Sequence, residues 1–304
     1  MSSFHGSADQ ADTLRQLAGR TKNRPVTERV KLREGLRVIS VTSGKGGVGK
    51  SSVVVNVAES LAAAGKRVLI VDTGQGMTGI CMRLGREAQY GLGHVIGGER
   101  SLEETVVEAS PGISILPAGL GMHQYSALSP SERVSLLQGM IRLQDRFDYY
   151  LIDTAPGLAA NVTGFAAASR EIMLVITPEP TSITDAYALM KTLSGRDPGL
   201  KFKLVVNMCK NAEEGSTLYN KLSAITGRFL EISMEYAGCI LQDEMLVESA
   251  KRRGPVCRLF PDSRASLGFK SLAQRLLSET GVMPQMPGEP AASVTQWRKH
   301  ELSS

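Results

Sequence analysis

The chain has 304 residues, 42% apolar and 21% charged, with 31 glycines. It is long enough to bury one full α/β core, which excludes a disordered, collagen-like or disulfide-stapled small protein. Its 35 Lys and Arg against 30 Asp and Glu leave +5, and residues 1–37 hold eight of the basic and four of the acidic side chains, so +4 of that excess sits at one end.

Residues 1–37 are polar and basic and carry one short helical signal. Ser7 to Gln10 forms an S-x-x-Q capping box and Gly19 marks a stop, giving a helix of about 12 residues that is marginal alone. Ala11, Leu14, Leu17 and Ala18 make one narrow apolar stripe, too small for a core but sufficient to fold into a partner's groove. The charge of this arm suits an acidic partner or lipid surface, and the near-neutral remainder offers no nucleic-acid-binding face. Short β-branched runs then recur at 38–42, 67–72, 113–116, 148–153, 172–177 and 202–207, and the stretches 51–64, 130–146 and 182–193 have helical spacing. Runs so apolar suit strands covered on both faces. The fold expected is a doubly wound, mostly parallel α/β sheet with helices on both faces.

Residues 263–280 place Phe269, Leu272, Ala273, Leu276 and Leu277 at i, i+3, i+4, i+7 and i+8, the pattern of a last core-facing helix in preference to a membrane-holding amphipathic one. Residues 282–304 hold Pro284, Pro287 and Pro290 and read as a loose tail, in which 294–302 with Trp297 is a weak membrane-anchor candidate. The division expected is an arm at 1–37, a nucleotide-binding domain at 38–281 and a tail at 282–304. Cys81, Cys209, Cys239 and Cys257 stand far apart without a CxxC pair, as reduced, mostly buried thiols of a cytoplasmic protein. The N-terminus has no secretory signal pattern and no apolar run approaches the ~20 residues of a membrane span.

Gly44-Lys45-Gly46-Gly47-Val48-Gly49-Lys50-Ser51 follows one predicted strand and precedes a helix, satisfying G-x-x-x-x-G-K-[ST] in its required context. The glycines let backbone N–H groups curl inward onto phosphate oxygens, and the helix adds its positive end. Lys50 neutralises the β- and γ-phosphates of ATP, and the Ser51 hydroxyl is placed for Mg²⁺. Ser52 completes the cofactor-binding set Gly44 to Ser52. A bridging metal needs a carboxylate at the end of a neighbouring strand, and Asp153 and Asp72 each close one. Lys45 and Lys50 are the candidate catalytic groups.

A second lysine in this loop resembles the MinD/ParA group of P-loop ATPases, whose deviant motif KGGxGK[ST] reads here from Lys45 to Ser51. The resemblance implies that Lys45 reaches the nucleotide of the other subunit in an ATP-bound homodimer, and that Asn207 contacts adenine. Residues 177–187 and the segment around Asp153, Thr154, Gly157, Asn161 and Val162 are similar to the FlhG (FleN) family of flagellar number and placement regulators. Asp9, Gln10, Ala11, Leu14 and Arg15 match the DQAxxLR segment with which that family stimulates FlhF, a signal-recognition-particle-type GTPase, Gln10 being the residue at the shared active site. The same resemblance implies peripheral contact with the inner face of the cell membrane.

One position departs from the pattern. The second strand of such enzymes ends in Asp-x-Asp, and the second carboxylate orients the attacking water; here Gly74 of Asp72-Thr73-Gly74-Gln75 takes its place. ATP binding is expected to survive and hydrolysis to be weak or partner-dependent, unless Gln75 substitutes. A ParA-type partitioning ATPase and an ATP-binding scaffold with little turnover are the alternatives; an iron–sulfur carrier ATPase lacks its paired cysteines.

Overall fold

A computed structural model describes residues 33–74, 79–118, 130–157, 169, 171–195, 197–230 and 232–279. Residues 1–32, with the expected arm helix and the partner set Asp9, Gln10, Ala11, Leu14 and Arg15, lie outside the described residues. The tail at 282–304, Gln75 and Asn161 also fall outside them.

Eight strands form one sheet: β1 Arg37–Thr42, β2 Val68–Asp72, β3 Val107–Ser110, β4 Ile113–Leu116, β5 Tyr149–Asp153, β6 Glu171–Ile176, β7 Lys201–Cys209 and β8 Met234–Leu241. Their order is β3-β4-β2-β5-β1-β6-β7-β8, parallel throughout except for the β3–β4 edge pair. The longer helices are α1 Lys50–Ala63, α2 Pro130–Leu143, α3 Pro180–Ser194, α4 Ala212–Leu230, α5 Glu244–Lys251 and α6 Arg264–Ser278. This is the expected doubly wound sheet, with β1 central and the loop after it at the carboxyl edge.

The uninterrupted apolar strands are explained by two covered faces. Along β2, Val68 and Ile70 join one core with α1 and α6, while Leu69 and Val71 join another with Leu136 and Met140 of α2. Along β6, Met173 and Val175 face the α1–α6 side, while Ile172, Leu174 and Ile176 face α3. Every residue of β2 and β5 is buried, as a period-2 strand with apolar partners on both sides requires. Val53, Val54, Val55 and Val57 leave at most 3% of their surface exposed, so α1 is enclosed on several sides. The apolar stripe of α6 is buried too, with Phe269 fully inaccessible, so that helix is core.

Ion pairs tie the edges of the folded unit together. Arg33 and Arg37, counted above with the arm's charge, are used by the folded unit. Arg37 leads β1 and pairs with Glu171 and, at 2.8 Å, with Glu279, while Arg33 lies 3.7 Å from both Asp145 and Asp148. Lys203, 4% exposed, joins Glu279 at 2.8 Å and ties the end of α6 to the amino edge of the sheet. Among the described residues, no helix is long and apolar enough to cross a membrane.

Candidate functional site

β1 delivers the chain into the glycine loop at the sheet's carboxyl edge. Gly47 and Gly49 hold φ of +80° and +90°, which glycine alone adopts at little cost. Two close approaches fix the loop's flanks. A Cβ on Gly49 would stand 2.3 Å from Asn207 Nδ2, and one on Gly44 would stand 2.3 Å from the Asp185 carbonyl carbon in α3. Gly49 begins α1 with no side-chain cap, and no acidic residue lies in the first turn. The first amides of α1 therefore present an uncapped positive terminus to whatever anion the loop encloses.

The charged groups are arranged in order of burial. Lys50 is 8% exposed and its Nζ donates to Ser43 Oγ at 3.0 Å; the Ser43 hydroxyl donates onward to the Lys45 carbonyl at 2.6 Å. Burial lowers the Lys50 ammonium's pKa, and Asp153 opposes that shift. Ser51 Oγ donates to Asp153 Oδ2 at 2.6 Å, while Asp153 Oδ1 is buried with no hydrogen-bond partner. Burial pushes the Asp153 carboxyl up to about 7, opposed by the Ser51 hydrogen bond, reinforced by Asp72 and opposed again by Lys50.

Asp72 and Asp153 are register partners at the ends of β2 and β5. Their oxygens are used differently. Asp72 accepts from the Gly74 amide with Oδ1 and from the Ile80 amide with Oδ2, both at 2.9 Å, so its first role is to shape the turn. A Cβ on Gly79 would come within 2.1 Å of Asp72 Oδ2, which explains a glycine there. Burial raises the Asp72 carboxyl as well, against the pull of these two amides.

Asn207, 1% exposed, donates its Nδ2 to the Val48 carbonyl at 2.8 Å. That bond leaves Oδ1 buried and unpartnered as an acceptor beside the loop. Lys45 is half-exposed and bonded within its own chain to Glu179, with Thr181 Oγ1 at 3.3 Å. Gly46 lies against Pro156, and Gly157 donates its amide to the Ser43 carbonyl at 3.0 Å, so the segment after β5 closes the other side.

The structure thus brings together the loop residues Gly44 to Ser52, Asp72, Asp153 and Asn207 from four strand ends. Sequence reasoning did not assign roles to Ser43, Glu179 or Arg83. Ser43 had a usable signal, a hydroxyl between strand and glycine loop; Glu179 and Arg83 reach the site only through tertiary placement. An uncapped helix start, a buried ammonium and two orphaned buried acceptors fit a nucleotide with its divalent cation. Among the described residues, no cluster of three or more His, Cys, Asp or Glu could hold a metal alone. A cation at Ser51 and Asp153 would therefore share its remaining ligands with phosphate or water.

Comparison with known proteins gives the same picture. Residues 36–204 match the family described as the AAA domain. The chain is 39% identical over 242 residues to the antiactivator FleN of Pseudomonas aeruginosa, covering 79% of this chain and 86% of that protein. It is 30% identical over 256 residues to the flagellum site-determining protein YlxH of Helicobacter pylori, covering 83% and 86%. Among solved structures, the septum site-determining protein MinD of Pyrococcus horikoshii, complexed with Mg-ADP, superposes with a TM-score of 0.69 over 83% of this chain and all of that one; at 23% identity this bears on the fold.

The raised Asp153 pKa has a signed consequence. An unfolded aspartate releases its proton near pH 4, about 3 units before the folded one. Over that interval the folded state binds more protons, so stability falls as pH rises from about 4 to 7. In nucleotide- and magnesium-free protein, the urea midpoint is expected to drop between pH 5 and pH 8, and to drop less in Asp153→Asn. Equal slopes in the two proteins would contradict the assignment.

Proposed function

Because the chain belongs to the AAA-domain family of P-loop ATPases, in its MinD/ParA-type branch close to FlhG and FleN, we propose that it is an ATP-dependently dimerising regulator of flagellar number or placement. The observation that carries this reading is the division of labour between two lysines of one turn. Lys50 is buried beside Ser51 and Asp153, whereas Lys45 stands on the outer side, bonded to Glu179. One subunit's triphosphate is served by the inner lysine, and the outer one is left for a second subunit.

In this reading Lys50 and the amides of residues 46–51 hold the phosphates of ATP. Ser51 and Asp153 hold Mg²⁺, with Asp72 behind them; the metal's contribution is neutralisation of phosphate charge. The Asn207 Oδ1 acceptor suits the amino group of adenine. Lys45 gives up little when it leaves its own chain, since its pair with Glu179 is solvent-facing, at 38% and 56% exposure, and water screens such a pair. Exchange for a phosphate in a water-excluded dimer interface is favoured by the lower local dielectric.

The arm carries the output. Through Asp9, Gln10, Ala11, Leu14 and Arg15 it docks on the GTPase FlhF, with Gln10 at the shared active site. Full-length protein is expected to raise FlhF GTP turnover several-fold, and a Gln10→Ala variant of unchanged stability is expected to leave it at the basal rate. Equal stimulation by both would remove the arm's role.

Gly74 favours a second reading, an ATP-holding switch with little turnover of its own. Its amide donates to Asp72 Oδ1, and a Cβ there would lie 3.0 Å from the same oxygen, so a side chain fits only if Asp72 gives way slightly. In single-turnover assays Gly74→Asp is expected to hydrolyse ATP about a hundredfold faster or more, the low end of what a positioned acid–base group contributes. Wild type as fast as the variant would sink this explanation of weak hydrolysis.

A further inference from the structure

Beside the carboxyl end of β2, the helical turn Ile80–Arg83 presents a cation. Asp72 anchors the helical turn Ile80–Arg83 by accepting the Ile80 amide at 2.9 Å, and Gly79 has no Cβ to obstruct that contact. The turn ends on Arg83, whose Nη1 lies 3.5 Å from Ser52 Oγ. Ser52 is the third residue of α1, in the first turn whose amides face the anion site. The exposed guanidinium therefore stands beside the first turn of α1, the turn in which Lys50 is buried.

Several surface arginines of the fold are paired with carboxylates. Arg142 rests on Glu103 at 2.8 Å, Arg252 on Glu248 at 2.9 Å and Arg258 on Glu59. Arg83 lies against a hydroxyl instead, so its charge is available to an incoming anion. A nucleoside triphosphate carries more negative charge than Lys50 and one divalent cation cancel, and a guanidinium fork matches phosphate oxygens.

We propose that Arg83 is a further substrate-binding residue, contacting the polyphosphate of the bound nucleotide from its own subunit. The proposal rests on the ATP reading above and deepens it. A turn with a glycine at 74 and an arginine at 83 retains the triphosphate where a carboxylate would orient water against it.

The test is calorimetric titration of the full-length protein with Mg-ATP at low and at raised salt, using wild type, Arg83→Gln and Arg83→Lys, with unfolding midpoints as the control for folding. Arg83→Gln is expected to raise the ATP Kd about tenfold at low salt, the scale of one hydrogen bond to a charged group. Its affinity should also depend less on salt than that of wild type. Arg83→Lys, which keeps the charge, is expected to recover most of the loss. Wild-type affinity in Arg83→Gln, or an equal loss in both variants, would overturn the proposal while leaving the ATP reading intact. A wild type that binds no ATP would overturn both.

Discussion

Asp153 ends β5 with one oxygen bonded to Ser51 and the other buried without a partner, and the rest of the site is arranged around that imbalance. An ionised carboxylate in such a place is costly unless a cation or further donors complete it. The protein holds it there rigidly. Thr73 donates both its amide and its hydroxyl to the Asp153 carbonyl, at 3.0 and 2.9 Å, and β2 and β1 flank β5 in parallel register. Without a cation the carboxyl retains its proton toward neutrality; Lys50 and Ser51 are the groups positioned to stabilise the ionised form.

The same constraint explains the glycines. α1 must bring Ser51 to Asp153 and Lys50 to Ser43 within one turn of the strand's end, so the loop curls tightly between Asn207 on one flank and Asp185 on the other. Gly44 and Gly49 meet those neighbours directly. A side chain at either would push apart β1, α3 and β7, whose spacing is set by the sheet and not by the loop.

Much of this was legible because the determinants are local. The glycine loop, the strand before it and the helix after it are written in one stretch of sequence, and Asp72 and Asp153 each close an apolar run. β3 and β8 were missed for identifiable reasons. Val107–Ser110 is a four-residue edge strand with a half-exposed first half, and Met234–Leu241 carries Gly238 at φ +135° beside a register shift, which breaks its alternation. Arg33 and Arg37, counted with the basic charge of residues 1–37, find acidic partners more than 100 residues away, which no local pattern shows. Glu179 and Arg83 are invisible for the same reason: only the packing of α3 and of the turn after β2 brings them to the loop.

The functional account therefore depends on two lysines five residues apart that differ in burial. In the proposed function the inner one serves its own subunit's nucleotide, and the outer one, half-exposed and paired with Glu179, exchanges that partner for the second subunit's phosphate. Sedimentation of the full-length protein with ADP and with ATP, both with magnesium, tests this most directly. The account predicts a monomer with ADP and a dimer with ATP for wild type, a Lys45→Ala variant that still binds ATP but stays monomeric, and a Lys50→Ala variant that binds no ATP. A Lys45→Ala protein that dimerises with ATP as wild type does would contradict it.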